Sequence, residues 1–309
     1  MATDTTVQRA ARTRGDASGP APGGRKRSPY PHWFYLPAAI VYAVLFLVPT
    51  VTSFYFSLTR WSIFDSQFIG FDNYVTFFQE PALVSGLWHT VVYAVITSGL
   101  KVVLGLGLAV LLTSQIMARG YLRSVVFFPV LVSTIGVGLT FTILLDPEEG
   151  LINESLALLG IQGPGWLTDP SYALVSVALV DVWKGVGLAT LIYIAGIVSI
   201  PGEYFEAARV DGASAWQNFR SIVLPLARPA TFTVILLSLI GGLRSFDLIW
   251  AMTRGGPGFT SDVIASVIYK QYQAGFYGLS TAGNVILFLL VTAIIFPLSR
   301  YLNSKEVDL

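Results

Sequence analysis

The sequence has no cysteine and only two histidines. The first absence excludes disulfide scaffolds, thiol catalysis and cysteine-based metal sites. The second leaves His32 and His89, too far apart in sequence to read as a metal-ligand pair. Charge is scarce as well: 12% of the 309 residues are Asp, Glu, Lys or Arg, about half the share of a soluble domain. A formal net charge of +1 gives no electrostatic footprint for nucleic acid. There is no Gly-x4-Gly-Lys-Ser/Thr phosphate loop, so the chain is not itself a P-loop ATPase. What remains is apolar. Hydrophobic residues make up 54% and mean hydropathy is +0.66, which reads as an integral membrane protein.

Residues 1–33 are polar and rich in Arg, Gly, Ser, Pro and Ala, the composition of a disordered tail. The apolar run that follows is too long for the core of a cleaved signal peptide and reads as a retained anchor. Six stretches are long enough for the roughly 20 helical residues that cross a bilayer: Phe34–Leu58, Thr90–Ser114, Ser124–Leu145, Tyr172–Val198, Pro229–Ala251 and Thr281–Ser299. Each is continuous rather than alternating, which favours helices over barrel strands. The expected fold class is therefore an all-α membrane protein with six transmembrane helices over residues 34–302, followed by a short tail at 303–309. In the second stretch Gly105 and Ala109 form a small-xxx-small pair that would admit a close neighbouring helix.

Lysine and arginine placement sets the expected orientation. Arg9, Arg12, Arg14, Arg25, Lys26 and Arg27 in the tail fall on the same side as Arg119, Arg123, Arg209, Arg220, Arg228, Arg300 and Lys305. Only Arg60, Arg254 and Lys270 fall on the other. Both termini are thus expected in the cytoplasm. The loop 146–171 carries Asp146, Glu148, Glu149, Glu154 and Asp169 with no Lys or Arg, which suits the outer face.

Between the fourth and fifth stretches lies a segment, 201–225, with its own helix signals. Pro201 suits a helix start, and Glu203 and Glu206 suit the positive end of a helix. Asp211-Gly212 reads as a stop and turn, and Ser214 as the cap of a second helix running to about Leu224, before Pro225. Tyr204, Ala207 and Ala208 are expected on one side. By pattern alone this is either an amphipathic connector at the membrane surface or a docking knob for a cytoplasmic partner.

The residues of this segment resemble a known family. Glu206-Ala207-Ala208, then Gly212, then Ile222-x-Leu224-Pro225, look like the EAA loop of permease subunits in ATP-binding-cassette importers. Val210-Asp211-Gly212-Ala213 is similar to the carbohydrate branch, in particular the maltose-type first permease subunit. Gly70-Phe71-Asp72-Asn73-Tyr74, Ser245-Phe246-Asp247, Thr253-x-Gly255-Gly256-Pro257 and Gly275-Phe276 also have counterparts there. The resemblance implies the type I importer permease fold, a multi-pass protein of the bacterial cytoplasmic membrane. Its expected partners are a second homologous permease, two ATPase subunits, an extracytoplasmic sugar-binding protein and lipid. No cofactor is expected in this chain; ATP and magnesium would be used by the ATPases. Glu206, Ala207, Ala208, Asp211, Gly212, Ile222, Leu224 and Pro225 would couple to the ATPase, Glu206 by pairing with one of its basic residues.

Five charges fall inside the spans: Lys101, Asp181, Lys184, Arg244 and Asp247. Each costs about 2.5–3.5 kcal/mol at depth on insertion scales, so each should face protein or water. Asp181 with Lys184, and Arg244 with Asp247, are three apart and could pair on one helix face. They read either as neutralised packing pairs or as the lining of a polar path. The resemblance favours the path and implies Asp181, Lys184, Gly185, Leu188, Arg244, Ser245 and Asp247 along it. Charged residues stand there where the maltose-type pattern has neutral ones, which argues against maltose itself. The competing substrate is glycerol 3-phosphate or a related polyol phosphate, held by Lys184 and Arg244. With Asp181 and Asp247 offsetting those cations, a neutral oligosaccharide is favoured. A more distant alternative, an ion-coupled carrier, would show an internal repeat, and none is visible.

Overall fold

The computed structural model describes residues 32–62, 64–114 and 116–304. The expected disordered tail and its six basic residues lie outside them as far as residue 31, as does 305–309 with Lys305. Two compact units are distinguished, Met1–Pro49 and Thr50–Leu309, and the features developed below belong to the second.

Trp33–Phe56 forms the first long helix, α1. A short hairpin of β1 (Thr59–Trp61) and β2 (Ser66–Phe68) follows, then α2 (Asp72–Gln79) and the 33-residue α3 (Pro81–Thr113). Next come α4 (Arg119–Leu131), α5 (Thr134–Leu144), α6 (Leu151–Leu158) and α7 (Ala173–Val198). The chain continues through α8 (Gly202–Val210), α9 (Ala215–Leu226), α10 (Arg228–Leu243) and α11 (Asp247–Met252). It ends in α12 (Ile264–Gln273) and α13 (Tyr277–Asn303). Among the described residues, helices α1, α3, α7 and α13 are long and apolar enough to cross a membrane. The bent pairs α4–α5 (99°) and α9–α10 (66°) bring the count to six if each is one span.

Two expected spans are not straight rods. The third, Ser124–Leu145, breaks between α4 and α5, where Val132 and Ser133 are extended (ψ 142° and 132°). Pro129 has already removed one ladder donor from the end of α4. The fifth, Pro229–Ala251, stops at Leu243 and restarts at Asp247, leaving Arg244–Phe246 outside any helix. Gly241-Gly242 weakens the end of α10, and Asp247 suits the first turn of α11. Two π-helical stretches, Ala43–Leu47 and Phe219–Val223, each end two residues before a proline (Pro49, Pro225). Widening the turn there relieves the clash between a proline ring and the carbonyl four residues earlier.

Helices α3 and α7 form the centre of the second unit. A Cβ on Gly105 would lie 2.9 Å from the Ala189 Cβ, so the expected small-residue pair does let the two backbones close up. Gly185 lies against Lys101 and Ala189 against Gly105; both contacts advance by four, so the helices run parallel. The Thr113 end of α3 therefore lies with the Val198 end of α7, and Pro81 lies at the opposite end. Arg123 donates to the Leu112 carbonyl (2.8 Å), placing its cation at the negative end of α3.

The end of the second unit that holds Pro81 is tied together by one buried amide. Asn73 Nδ2 donates to the carbonyls of Ser57 (2.8 Å) and Thr59 (2.9 Å), fastening α2 to the start of the hairpin. Gly278 packs so closely on this knot that a Cβ would overlap the Thr59 carbonyl oxygen.

Candidate functional site

The segment 201–225 is two helices, as expected, closed by complementary caps. Pro201 is the N-cap of α8 rather than part of its first turn. At its other end Ala213 N–H donates to the Ala208 carbonyl (2.9 Å) and Gly212 N–H to that of Arg209 (3.2 Å). That is a complete Schellman motif, with Gly212 in the left-handed region at φ +72°. Open space surrounds the Gly212 Cα, so backbone conformation alone demands glycine there. Ser214 and Gln217 then form a reciprocal capping box at the start of α9.

The inward face of α8 differs from the expected one. Phe205 and Ala208 are half-buried, one turn apart, whereas Tyr204 and Ala207 are exposed. Phe205 and Phe219 pack against the core cluster of Tyr193, Ile197, Val223 and Ala227. The segment is thus bolted to the ends of α7 and α10 by aromatic side chains. Its outward surface carries Glu206, Ala207 and Asp211, with Val210 89% and Trp216 65% exposed. Ile222 and Pro225 are half-buried, and Leu224 is exposed.

The charges inside the spans pair differently from the expectation. Asp181 does not turn to Lys184. Its Oδ2 accepts from Lys101 Nζ at 3.0 Å, joining α7 to α3, with side-chain exposures of 22% and 11%. Gly185 is the slot in which the lysine lies: an added Cβ would sit 2.7 Å from Lys101 Cε. Arg244 and Asp247 do not pair either, because the break between α10 and α11 separates them and no single helix face holds both. Among the described residues the two ion pairs are Lys101–Asp181 and Lys270–Asp262. Lys184, Arg244 and Asp247 are left without one, so Asp181 does not offset Lys184. Arg244, Asp247 and Leu188 are exposed; Lys184, Gly185 and Ser245 are half-buried. The Tyr93 hydroxyl is fully buried beside Asp181 and Ser245.

Residues 253–262 form a polar turn beyond α11. Thr253 Oγ1 and Ser261 Oγ lie 2.8 Å apart, and Ser261 Oγ donates to the Gly256 carbonyl at 2.6 Å. Asp262 is fully buried, bound by Lys270 Nζ (2.6 Å) and Ser266 Oγ (2.7 Å). Its backbone carbonyl meets His89 Nδ1 at 3.0 Å. Burial pushes the Asp262 carboxyl above the usual carboxylate range, against the pull of Lys270, Ser266 and His89. Gly255 presses on that carboxylate so closely that a Cβ would overlap it. Sequence reasoning found the Thr-x-Gly-Gly-Pro string but not its buried acid, because Asp262 and Lys270 lie on opposite sides of a helix start.

Residues 101–306 match the family of binding-protein-dependent transport system inner membrane components. The chain is 34% identical over 258 residues to the trehalose/maltose transport system permease protein of Thermococcus litoralis, covering 83% of this chain and 88% of that one. It is 31% identical over 274 residues to the sulfoquinovosyl glycerol transport system permease protein of Agrobacterium fabrum, covering 87% and 89%. In fold it is similar to a chain of a bacterial alginate ABC transporter, crystallised in complex with an alginate pentasaccharide-bound periplasmic protein. The TM-score is 0.76 at 23% identity, over 89% of this chain and 95% of that one.

Proposed function

The chain belongs to the family of binding-protein-dependent transport system inner membrane components, and from that premise we propose that it carries a sugar or oligosaccharide through an ATP-driven importer. As a permease it is a transport subunit and not an enzyme. Residues 34–302 are its permease domain, with 1–33 and 303–309 as cytoplasmic tails. A second, homologous permease completes the pore, two separate ATPases use ATP and magnesium, and an extracytoplasmic binding protein delivers the sugar. The names of the relatives support the substrate class.

The observation that carries the coupling role is the build of 201–225. A lever must be rigid and must be anchored at both ends. Here the Schellman turn and the capping box fix the angle between α8 and α9, while Phe205 and Phe219 fasten both to the spans. Glu206, Ala207 and Asp211 then face outward to an ATPase groove, with Gly212 setting the turn and Ile222, Leu224 and Pro225 handing motion to α10. Asp181, Lys184, Gly185, Leu188, Arg244, Ser245 and Asp247 line or support the path. Asp181 and Gly185 act through Lys101; Lys184, Arg244 and Asp247 meet water or substrate.

Uptake of labelled mono-, di- and oligosaccharides in cells with and without the gene tests the class, and loss of one sugar's uptake names the substrate. Glu206→Ala or Gly212→Pro should leave the chain in the membrane while uncoupling ATP hydrolysis from transport. Unchanged uptake in both variants would refute the coupling assignment.

A further inference from the structure

At the end of the spans that holds Pro81, away from 201–225, the second unit opens into a cleft of about 620 Å³. That volume lies within the ~300–1,000 Å³ typical of small-molecule sites. Its walls come from the hairpin, α2, the start of α3, the end of α12 and the start of α13, and they include Arg60, Trp61, Asp72, Glu80, Gln271 and Phe276. These elements are held by the Asn73 knot and by the Gly275 turn. In that turn Phe276 N–H donates to the Gln271 carbonyl (3.0 Å) and Gly275 N–H to that of Tyr272 (3.1 Å). The cleft is therefore a preformed cavity.

The chemistry of its walls is specific. The side chains of Arg60, Asp72, Glu80 and Gln271 make no ion pair or hydrogen bond among the described residues, although all four line one cavity. They present two carboxylate acceptors, a guanidinium fork and an amide around an open volume. Trp61 is backed by Phe56 at 4.5 Å and Tyr277 at 5.5 Å, which fixes the indole as a flat wall, and Phe276 is 60% exposed. Aromatic walls bury the C–H face of a pyranose ring, while ionised acceptors and forked donors bind its ring of hydroxyls. One cation against two carboxylates leaves the lining net negative, which repels uronates and phosphates.

We propose that this cleft is a binding site for a neutral saccharide of one or two rings, separate from the pathway charges in the spans. It would hold sugar at the mouth of the permease before entry into the pore. The assignment rests on the cleft alone and does not depend on the roles given to Lys184 or Arg244.

The test is ligand-detected saturation-transfer NMR on the full chain in nanodiscs, with glucose, galactose, arabinose, maltose and trehalose, and with glucuronate as the acidic control. At least one neutral sugar should bind saturably and glucuronate should not. Glu80→Gln with Asp72→Asn should weaken that binding tenfold or more, and Phe276→Ala should weaken it independently, so the result does not rest on one variant folding. Leu158→Gln, at an exposed position of α6 outside the cleft, should leave it unchanged. Two outcomes would overturn the proposal: no saturable binding of any neutral sugar, or binding that neither Phe276→Ala nor the paired carboxylate variant weakens.

Discussion

Replacing Lys101 by Met should strand Asp181. The pair spans 3.0 Å between α3 and α7, with both side chains less than a quarter exposed, so solvent screens it weakly. Removing one partner of such a pair costs about 3–5 kcal/mol, because the remaining charge keeps its desolvation penalty and loses its compensation. Loss of stability in Lys101→Met should therefore be about 3–5 kcal/mol. Adding Asp181→Asn removes the charge and should recover most of the loss at neutral pH. Gly185→Ala should act through the same lysine, because the new methyl falls on its Cε and displaces the ammonium. The assay is the thermal midpoint of the purified chain in nanodiscs, followed by tryptophan fluorescence. A Lys101→Met loss under about 1 kcal/mol, or a double variant no more stable than the single, would refute this account.

Gly212→Ala should lower ATPase-coupled uptake and destabilise α8 by about 1–2 kcal/mol, the cost of a left-handed L-residue; Gly212→Asn should cost less, as read by the thermal midpoint. Gly278→Ala should destabilise by about 1–3 kcal/mol, because the new methyl meets the Thr59 backbone carbonyl, which cannot swing aside. Stability of the 253–273 region should decline as pH rises above the ordinary carboxylate range. Asp262 holds its proton more tightly folded than unfolded, so its contribution is largest at acid pH and is lost as pH climbs through its raised folded value. Asp262→Asn should flatten that decline in a pH series of thermal midpoints. Arg244→Gln should cut sugar uptake tenfold or more with the chain still inserted, and uptake at the natural rate would remove Arg244 from the path.

Sequence periodicity carries information about neighbours three and four residues away, and the correspondence with the structure divides along that line. Four of the six long apolar runs, the Gly212 turn and the Ser214 cap are local signals, and each appears about where the sequence places it. The pairing of Asp181 is not local. Spacing on one helix offers Lys184 as partner, yet the cation that reaches it is Lys101, 80 positions away. The clue was available in a different form: Lys101 is a lone charge in an apolar run, and a lone charge at depth needs a partner on another helix. The break at Arg244–Phe246 escapes hydropathy for a related reason. Leu248, Ile249 and Met252 beyond it are as apolar as the residues before it, so a composition window sees one continuous span. Phe205 was legible through its one-turn spacing from Ala208, but the alanines of the Glu-Ala-Ala string drew the face a residue out of place. The polar end that holds Pro81 is the least local of all, since Asn73, Thr59 and Gly278 meet from three separate elements. It is also where the cleft lies, built from charged residues that no periodic pattern marks and that only the folded chain brings around one volume.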